Sequence, residues 1–319
     1  MYNELVFHYL DFRMAEVYIA TFFSKQLIEL ERNSGHKSFF IQRSKAGGKI
    51  YLIREVVNTI LSKFNEGKHL LKYGTTDFFN DINIEINTNC NRRCKYCPNS
   101  VYDRGSLSNK KLMPESLFKK IIDELSLIKF SGRISPQFYG EPLLDERLVS
   151  LMGYIREKLP NAQIIIISNG DYLSIQLYNN LVKAAVNSFV ITQHDNKMSA
   201  SIKGLFLYLN NNPSKKVNIT YNEINSSTPL YNRGGLIIPS KIDLIPRCRL
   251  FDNPLVIDFD GNVLLCCNDY LGTLKWGNLR HAKLLDIWND KKYVNFRKQL
   301  KKRKYTLPIC KRCVGIEKI

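Results

Sequence analysis

The sequence predicts an α/β fold: a partial (β/α)6 barrel, a smaller C-terminal β-hairpin-plus-helix domain and a small α+β N-terminal extension. Strict alternation of short β-rich runs with helical stretches from Ile82 onward predicts parallel strands joined by crossovers. At roughly 30 residues per βα unit, the stretch to about residue 245 holds five or six units, too few for a closed eight-unit barrel. A change of texture after Cys248 marks the end of the alternation. The chain thus divides into three regions: 1–80 as an accessory region, 81–245 as the partial barrel and 246–319 as the terminal domain.

The accessory region reads as a helix, a hairpin turning at Gly47 and Gly48, and a second helix with Ile53, Val56, Val57, Ile60, Leu61 and Phe64 at helical spacing. Its first 23 residues are apolar, yet Glu4, Asp11, Arg13 and Glu16 interrupt them too early for a membrane span or a signal segment. A cytoplasmic protein with no membrane partner is therefore expected. The barrel strands are INIEI, RISPQFY, AQIIIIS, NSFVITQ and KVNITY, and the clearest helices are PESLFKKIIDELSLI and ERLVSLMGYIREKL. In the terminal domain, LVIDFDGNVLLC reads as a hairpin around Asp260 and Gly261. WGNL comes next, and then one amphipathic helix carrying Leu284, Leu285, Ile287, Trp288, Val294 and Phe296.

Charge adds a constraint. The chain has 47 Lys and Arg against 29 Asp and Glu, a net charge of +18, which raises the question of an anionic partner. The run RKQLKKRK at 297–304 supplies part of the excess, but no aromatic residues interleave it. It reads as a solvated helix face, and no nucleic-acid partner is expected. A zinc-stabilised nucleic-acid binder would explain the charge and the terminal CKRC, but not the motifs at the strand ends.

Three of the eight cysteines lie within CNRRCKYC, as Cys90, Cys94 and Cys97, in the loop after the first barrel strand. Parallel α/β folds place their sites at that end of the sheet. Thiolates at i, i+4 and i+7 can each bind a different iron of one cubane, leaving the fourth iron open for a substrate or cofactor. A zinc knuckle with a borrowed fourth ligand, or free thiols, are the alternatives that spacing leaves open. Cys248, Cys266, Cys267, Cys310 and Cys313 fall in the last quarter of the chain, enough for a closed four-thiolate site holding a cluster or zinc. Cys266 and Cys267 point to opposite faces if they lie on a strand, so one of them is spare.

CxxxCxxC with Tyr96 before its last cysteine resembles the signature of the radical S-adenosylmethionine (SAM) superfamily. Tyr139-Gly140-Glu141-Pro142, after the second strand, resembles the superfamily's Gly-Gly-Glu motif, with Tyr139 in place of the first glycine. Ser168-Asn169-Gly170-Asp171, after the third strand, resembles its ribose-contacting segment. Alone, each tetrapeptide is an ordinary turn; their placement at successive strand ends is what points to function. The resemblance implies a 4Fe-4S cluster on Cys90, Cys94 and Cys97, with SAM chelated at the open iron. It assigns SAM binding to Tyr96, Tyr139, Gly140, Glu141, Ser168 and Asn169. The terminal pattern is similar to SPASM and twitch extensions, implying one auxiliary 4Fe-4S cluster on Cys248, Cys266, Cys310 and Cys313, with Cys267 unassigned.

Within the superfamily, the stretches from Glu85 to the C-terminus, including NRGG, resemble an alcohol-oxidising dehydrogenase. That resemblance implies an oxidoreductase that uses a 5′-deoxyadenosyl radical to turn an alcohol of a sugar or aminocyclitol into a ketone. Arg233 would hold the substrate hydroxyl, and an external electron donor such as flavodoxin or ferredoxin would supply electrons. The N-terminal hairpin and helix weakly resemble a peptide-leader recognition fold, which implies the alternative of a maturase or epimerase acting on a ribosomal peptide or a sugar. In an epimerase, Cys267 would be the hydrogen donor.

Overall fold

The computed structural model describes Gly67, residues 69–195, 197–224, Thr228, 230–238, Cys248 and 254–317. The expected N-terminal helices, the hairpin at Gly47 and Gly48, and with them the peptide-leader resemblance, lie outside the described residues. Residues 1–72 and 73–319 are separate compact units, and the second carries every cysteine of the chain.

Five strands alternate with four helices: β1 (Asp81–Ile84), α1 (Glu115–Leu127), β2 (Arg133–Ser135), α2 (Leu148–Lys158), β3 (Gln163–Ser168), α3 (Ile175–Lys183), β4 (Ser188–Gln193), α4 (Ala200–Asn211) and β5 (Asn218–Glu223). All four neighbouring strand pairs from β1 to β5 are parallel. The helices form for local reasons. In α1, Leu117, Phe118, Ile121, Ile122 and Leu125 make one buried stripe at helical spacing. Ser174 and Ser199 cap α3 and α4, their hydroxyls accepting from Leu177 N and Ile202 N.

The sheet stays open, as the unit count predicts, but its sixth parallel strand has an unexpected source. β6 (Pro254–Ile257), the first arm of the C-terminal hairpin, pairs in parallel with β1, Ile84 lying opposite Ile257. β7 (Asn262–Leu264) and β8 (Lys275–Asn278) continue antiparallel, giving one eight-stranded sheet in the order β5-β4-β3-β2-β1-β6-β7-β8. The terminal region is thus fused to the barrel sheet through backbone pairing, so β1, which leads into the cysteine loop, is a central strand. The hairpin turns where predicted: Gly261 has φ 86°, and Asp258 Oδ1 accepts from the backbone N–H groups of Asp260 and Asn262.

Two expectations need correction. The terminal amphipathic helix is two helices, α5 (Leu284–Trp288) and α6 (Lys291–Lys301), because Asp290 leaves helical geometry and caps α6 by accepting from Lys292 N and Tyr293 N. The basic run is not wholly a solvated face either. Arg297 is 6% exposed, lies 3.8 Å from the Trp288 ring and 4.4 Å from the Tyr293 ring, and pairs with Asp77 at 2.8 Å. Lys298 and residues 301–304 are exposed, as expected. The last helix, α7 (Pro308–Cys313), carries the CKRC motif.

Candidate active site

Four consecutive strand ends converge on one site. The cysteine loop follows β1, Tyr139-Gly140-Glu141 follows β2, Ser168-Asn169-Gly170-Asp171 closes β3, and His194 follows β4. The first two approach so closely that only glycine fits at 140: a Cβ there would lie 2.2 Å from the Asn87 carbonyl oxygen. Glu141 N donates to the Asn89 carbonyl, and Asn87 Nδ2 donates back to the Glu141 carbonyl.

Glu141 is buried and accepts from three donors, which leaves one acceptor site open on its Oε2. Ser168 Oγ and Leu143 N donate to its Oε1, and Asn169 N donates to its Oε2. Burial pushes its carboxyl up to about 7 against those hydrogen bonds. Asn169 connects further, its Nδ2 donating to Asn91 Oδ1 at 2.9 Å inside the cysteine loop. Burial alone would raise Asp171, but hydrogen bonds from Arg92 and Asn91 hold it below the usual carboxylate range. Tyr96 Oη meets His194 Nδ1, a partner the sequence did not single out.

The sulfurs of Cys90, Cys94 and Cys97 lie close enough to repel one another if ionised, and none is in a disulfide. Burial pushes all three thiols up, Cys90 to about 11. Such a set releases its protons readily only to a strongly charged soft metal centre. The terminal set behaves alike: Cys266 lies beside Cys248 and Cys313, and Cys310 beside the same two. Asn268 donates from N to Cys266 Sγ and from Nδ2 to Cys313 Sγ, both at 3.4 Å. Among the described residues no three His, Cys, Asp or Glu side chains converge on one point as a single metal ion requires. Thiols that share a neighbourhood without converging on one point suit a multi-iron cluster, whose ligands each take a different iron.

Arg233 stands between the two sets. Its neighbours include Tyr139, Cys267 and Cys97, its guanidinium lies 5.9 Å from the Tyr139 ring, and its Nε is buried without a hydrogen-bond partner. The NRGG segment holds it there. Arg233 has φ 51°, Gly234 φ 68° and Gly235 φ 92°, a left-handed run that favours glycine. A Cβ at 234 would lie 2.6 Å from Ile309, and Arg312 Nε donates to the Gly234 carbonyl, so the segment is seated on α7. Tyr139 reaches across the same gap, its Oη donating to the Cys267 carbonyl at 2.9 Å. Cys267 is exposed, whereas Cys266 is recessed among the terminal thiols.

Sequence reasoning also missed Asn99, Arg104 and Glu85. Asn99 Nδ2 donates to the Tyr139 carbonyl and its Oδ1 accepts from Tyr270 Oη. Arg104 pairs with the fully buried Glu85 and donates to the Tyr270 carbonyl, locking the cysteine loop's flank to the terminal region. Only long-range pairing reveals these residues; no local spacing does.

Residues 84–196 match the family model described as the radical SAM superfamily, and residues 248–314 match an iron-sulfur cluster-binding domain, SPASM. The chain is 35% identical over 241 residues to the S-adenosyl-L-methionine-dependent 2-deoxy-scyllo-inosamine dehydrogenase of Niallia circulans, covering 75% of this chain and 94% of that protein. The crystal structure of BtrN with AdoMet and 2-DOIA superposes with a TM-score of 0.66 at 34% identity, covering 74% of this chain and 93% of that one. BtrN in an open conformation gives 0.54 at 32% identity, covering 70% and 86%. The chain therefore belongs to the radical SAM superfamily, as a 4Fe-4S, SAM-dependent oxidoreductase with a C-terminal SPASM cluster-binding domain.

Proposed function

We propose that this chain oxidises one secondary alcohol of an aminocyclitol or related sugar to a ketone. The observation that carries the reading is Arg233, a buried cation with an unsatisfied Nε, placed between the cysteine loop and the terminal cysteines. When bound, SAM cleaved with one electron from the first cluster would supply a 5′-deoxyadenosyl radical able to take the hydrogen atom of the carbinol carbon, and the auxiliary cluster would accept the electron left on the substrate. Cys90, Cys94 and Cys97 hold the first cluster; Cys248, Cys266, Cys310 and Cys313 hold the second. The Arg233 guanidinium receives the substrate hydroxyl oxygen and stabilises the negative charge that gathers there as the proton leaves. Tyr139, fixed through Asn99, Tyr270 and Cys267, walls the space beside it. A flavodoxin- or ferredoxin-type protein supplies the starting electron, in a reducing cytoplasm.

Glu141 and Asn169 receive SAM, with Glu141 accepting a hydrogen bond from its amino group; Tyr96, Tyr139, Gly140 and Ser168 complete that surface. With its carboxyl pushed up to about 7, Glu141 carries a proton below that pH and is a weaker acceptor for that amino group. SAM affinity is expected to rise as pH approaches about 7 and then to level off. Titrations between about pH 6 and 8.5 check this; a flat profile, or an unchanged slope in Glu141→Gln, contradicts it.

The functional test is anaerobic incubation of the reconstituted enzyme with SAM, a reductant and a panel of aminocyclitols and amino sugars, read by mass spectrometry. A product two mass units lighter supports the reading. Deoxyadenosine without an oxidised product on any member of the panel overturns it.

A further inference from the structure

The cysteine loop is tied to the neighbouring strand ends by a charged network that the cluster ligands do not require. Arg92, between Cys90 and Cys94, holds Asp171 with both arms of its fork, Nε to Oδ2 at 2.6 Å and Nη2 to Oδ1 at 2.7 Å. Asn91 Nδ2 donates to the same carboxylate at 2.6 Å. Arg92 Nη1 also reaches Asp195, beyond the end of β4, and Tyr96 meets His194 beside it. Ser201 Oγ in α4 donates to the Asp171 carbonyl at 2.8 Å and fixes that residue from behind.

This network runs into the residues assigned to SAM. Asn169 is its hub: the side chain accepts from Asp171 N and donates to Asn91, while the backbone N–H donates to Glu141 Oε2. A displacement of the cysteine loop relative to β3 therefore breaks Asn91–Asn169 and loosens the residue that orients Glu141. The Arg92 and Asp171 side chains are only 20% and 18% exposed, so the pair is better shielded than a surface ion pair and its planar, bidentate geometry fixes one register.

We propose that Arg92 and Asp171 are positioning residues that set the register of the cysteine loop against the Glu141–Asn169 surface, so that SAM meets the open iron and that surface together. The inference rests on the reading that Cys90, Cys94 and Cys97 hold the cluster and that Glu141 and Asn169 receive SAM. Neither Arg92 nor Asp171 touches the reacting atoms. Their effect appears in SAM affinity rather than in cluster assembly.

The test is a double-mutant cycle on the reconstituted holoenzyme with Arg92→Ala, Asp171→Ala and the double variant. SAM affinity is read from the change in the electron paramagnetic resonance signal of the reduced first cluster, with iron per chain measured alongside. Each single change is expected to weaken SAM binding about tenfold, and the double variant to be no weaker than either single one. Arg92→Lys, which keeps the charge and loses the fork, should fall between wild type and Arg92→Ala. Iron content and the SAM-free signal should stay at wild-type levels. SAM affinity within about twofold of wild type in both single variants overturns the inference, as do losses that multiply in the double variant or iron loss in the single variants. A wild-type cluster that ignores SAM overturns the underlying assignment as well, which separates the two failures.

Discussion

Cys97→Ala is expected to abolish the cluster signal of the first site and to cut SAM cleavage more than about a thousandfold, to background. Cys97 N donates to the Cys94 carbonyl, and Cys97 begins the 3-10 turn Pro98–Ser100, so the loop backbone has its own hydrogen bonds. The variant should therefore fold and keep the terminal cluster. Half the wild-type iron, about four atoms per chain instead of about eight, is the expected count. Cys267→Ala is the matching control: its sulfur is outside both assigned ligand sets, so full iron content is expected. Retained SAM cleavage in Cys97→Ala contradicts the assignment.

Arg233→Gln should separate the two halves of the reaction. Loss of a charged hydrogen bond to a developing oxyanion in a buried site costs about 2 to 3 kcal/mol, or about a hundredfold in ketone formation. SAM affinity and SAM cleavage without substrate should stay near wild type, because the glutamate and asparagine assigned to SAM are untouched. Glutamine accepts the same left-handed backbone no worse than arginine, so the NRGG segment should stay seated on α7. Arg233→Lys should recover little, since a lysine lacks the planar fork. An Arg233→Gln enzyme with wild-type ketone yield would remove Arg233 from the substrate site.

What was legible in the sequence was what is local. Cys90, Cys94 and Cys97 sit in one loop, so their spacing alone brings three thiols together, and the family resemblance assigns them a cluster. The alternation of strands and helices placed Glu141 and Asn169 at strand ends before any contact was known. What was illegible depends on pairing across the chain: Arg92 with Asp171 is 79 residues apart, Tyr96 with His194 98, and Asn99 with Tyr270 171. Such partners leave no period to read. The parallel pairing of β6 with β1 was hidden for the same reason, because a hairpin signal says nothing about which edge it joins. Arg297 looked solvated because its neighbours in the run are; burial came from Trp288, Tyr293 and Asp77, which no local spacing links to it. Arg233 was reached through family resemblance, and only the fold put it beside both cysteine sets.

The most direct measurement of the central claim is the fate of the carbinol hydrogen. A substrate from the panel carrying deuterium on the carbon to be oxidised is incubated anaerobically with SAM and the reconstituted enzyme. The account predicts one deuterium in each 5′-deoxyadenosine released, in step with the ketone formed. Ketone formed with unlabelled deoxyadenosine, or without SAM consumption, would contradict it.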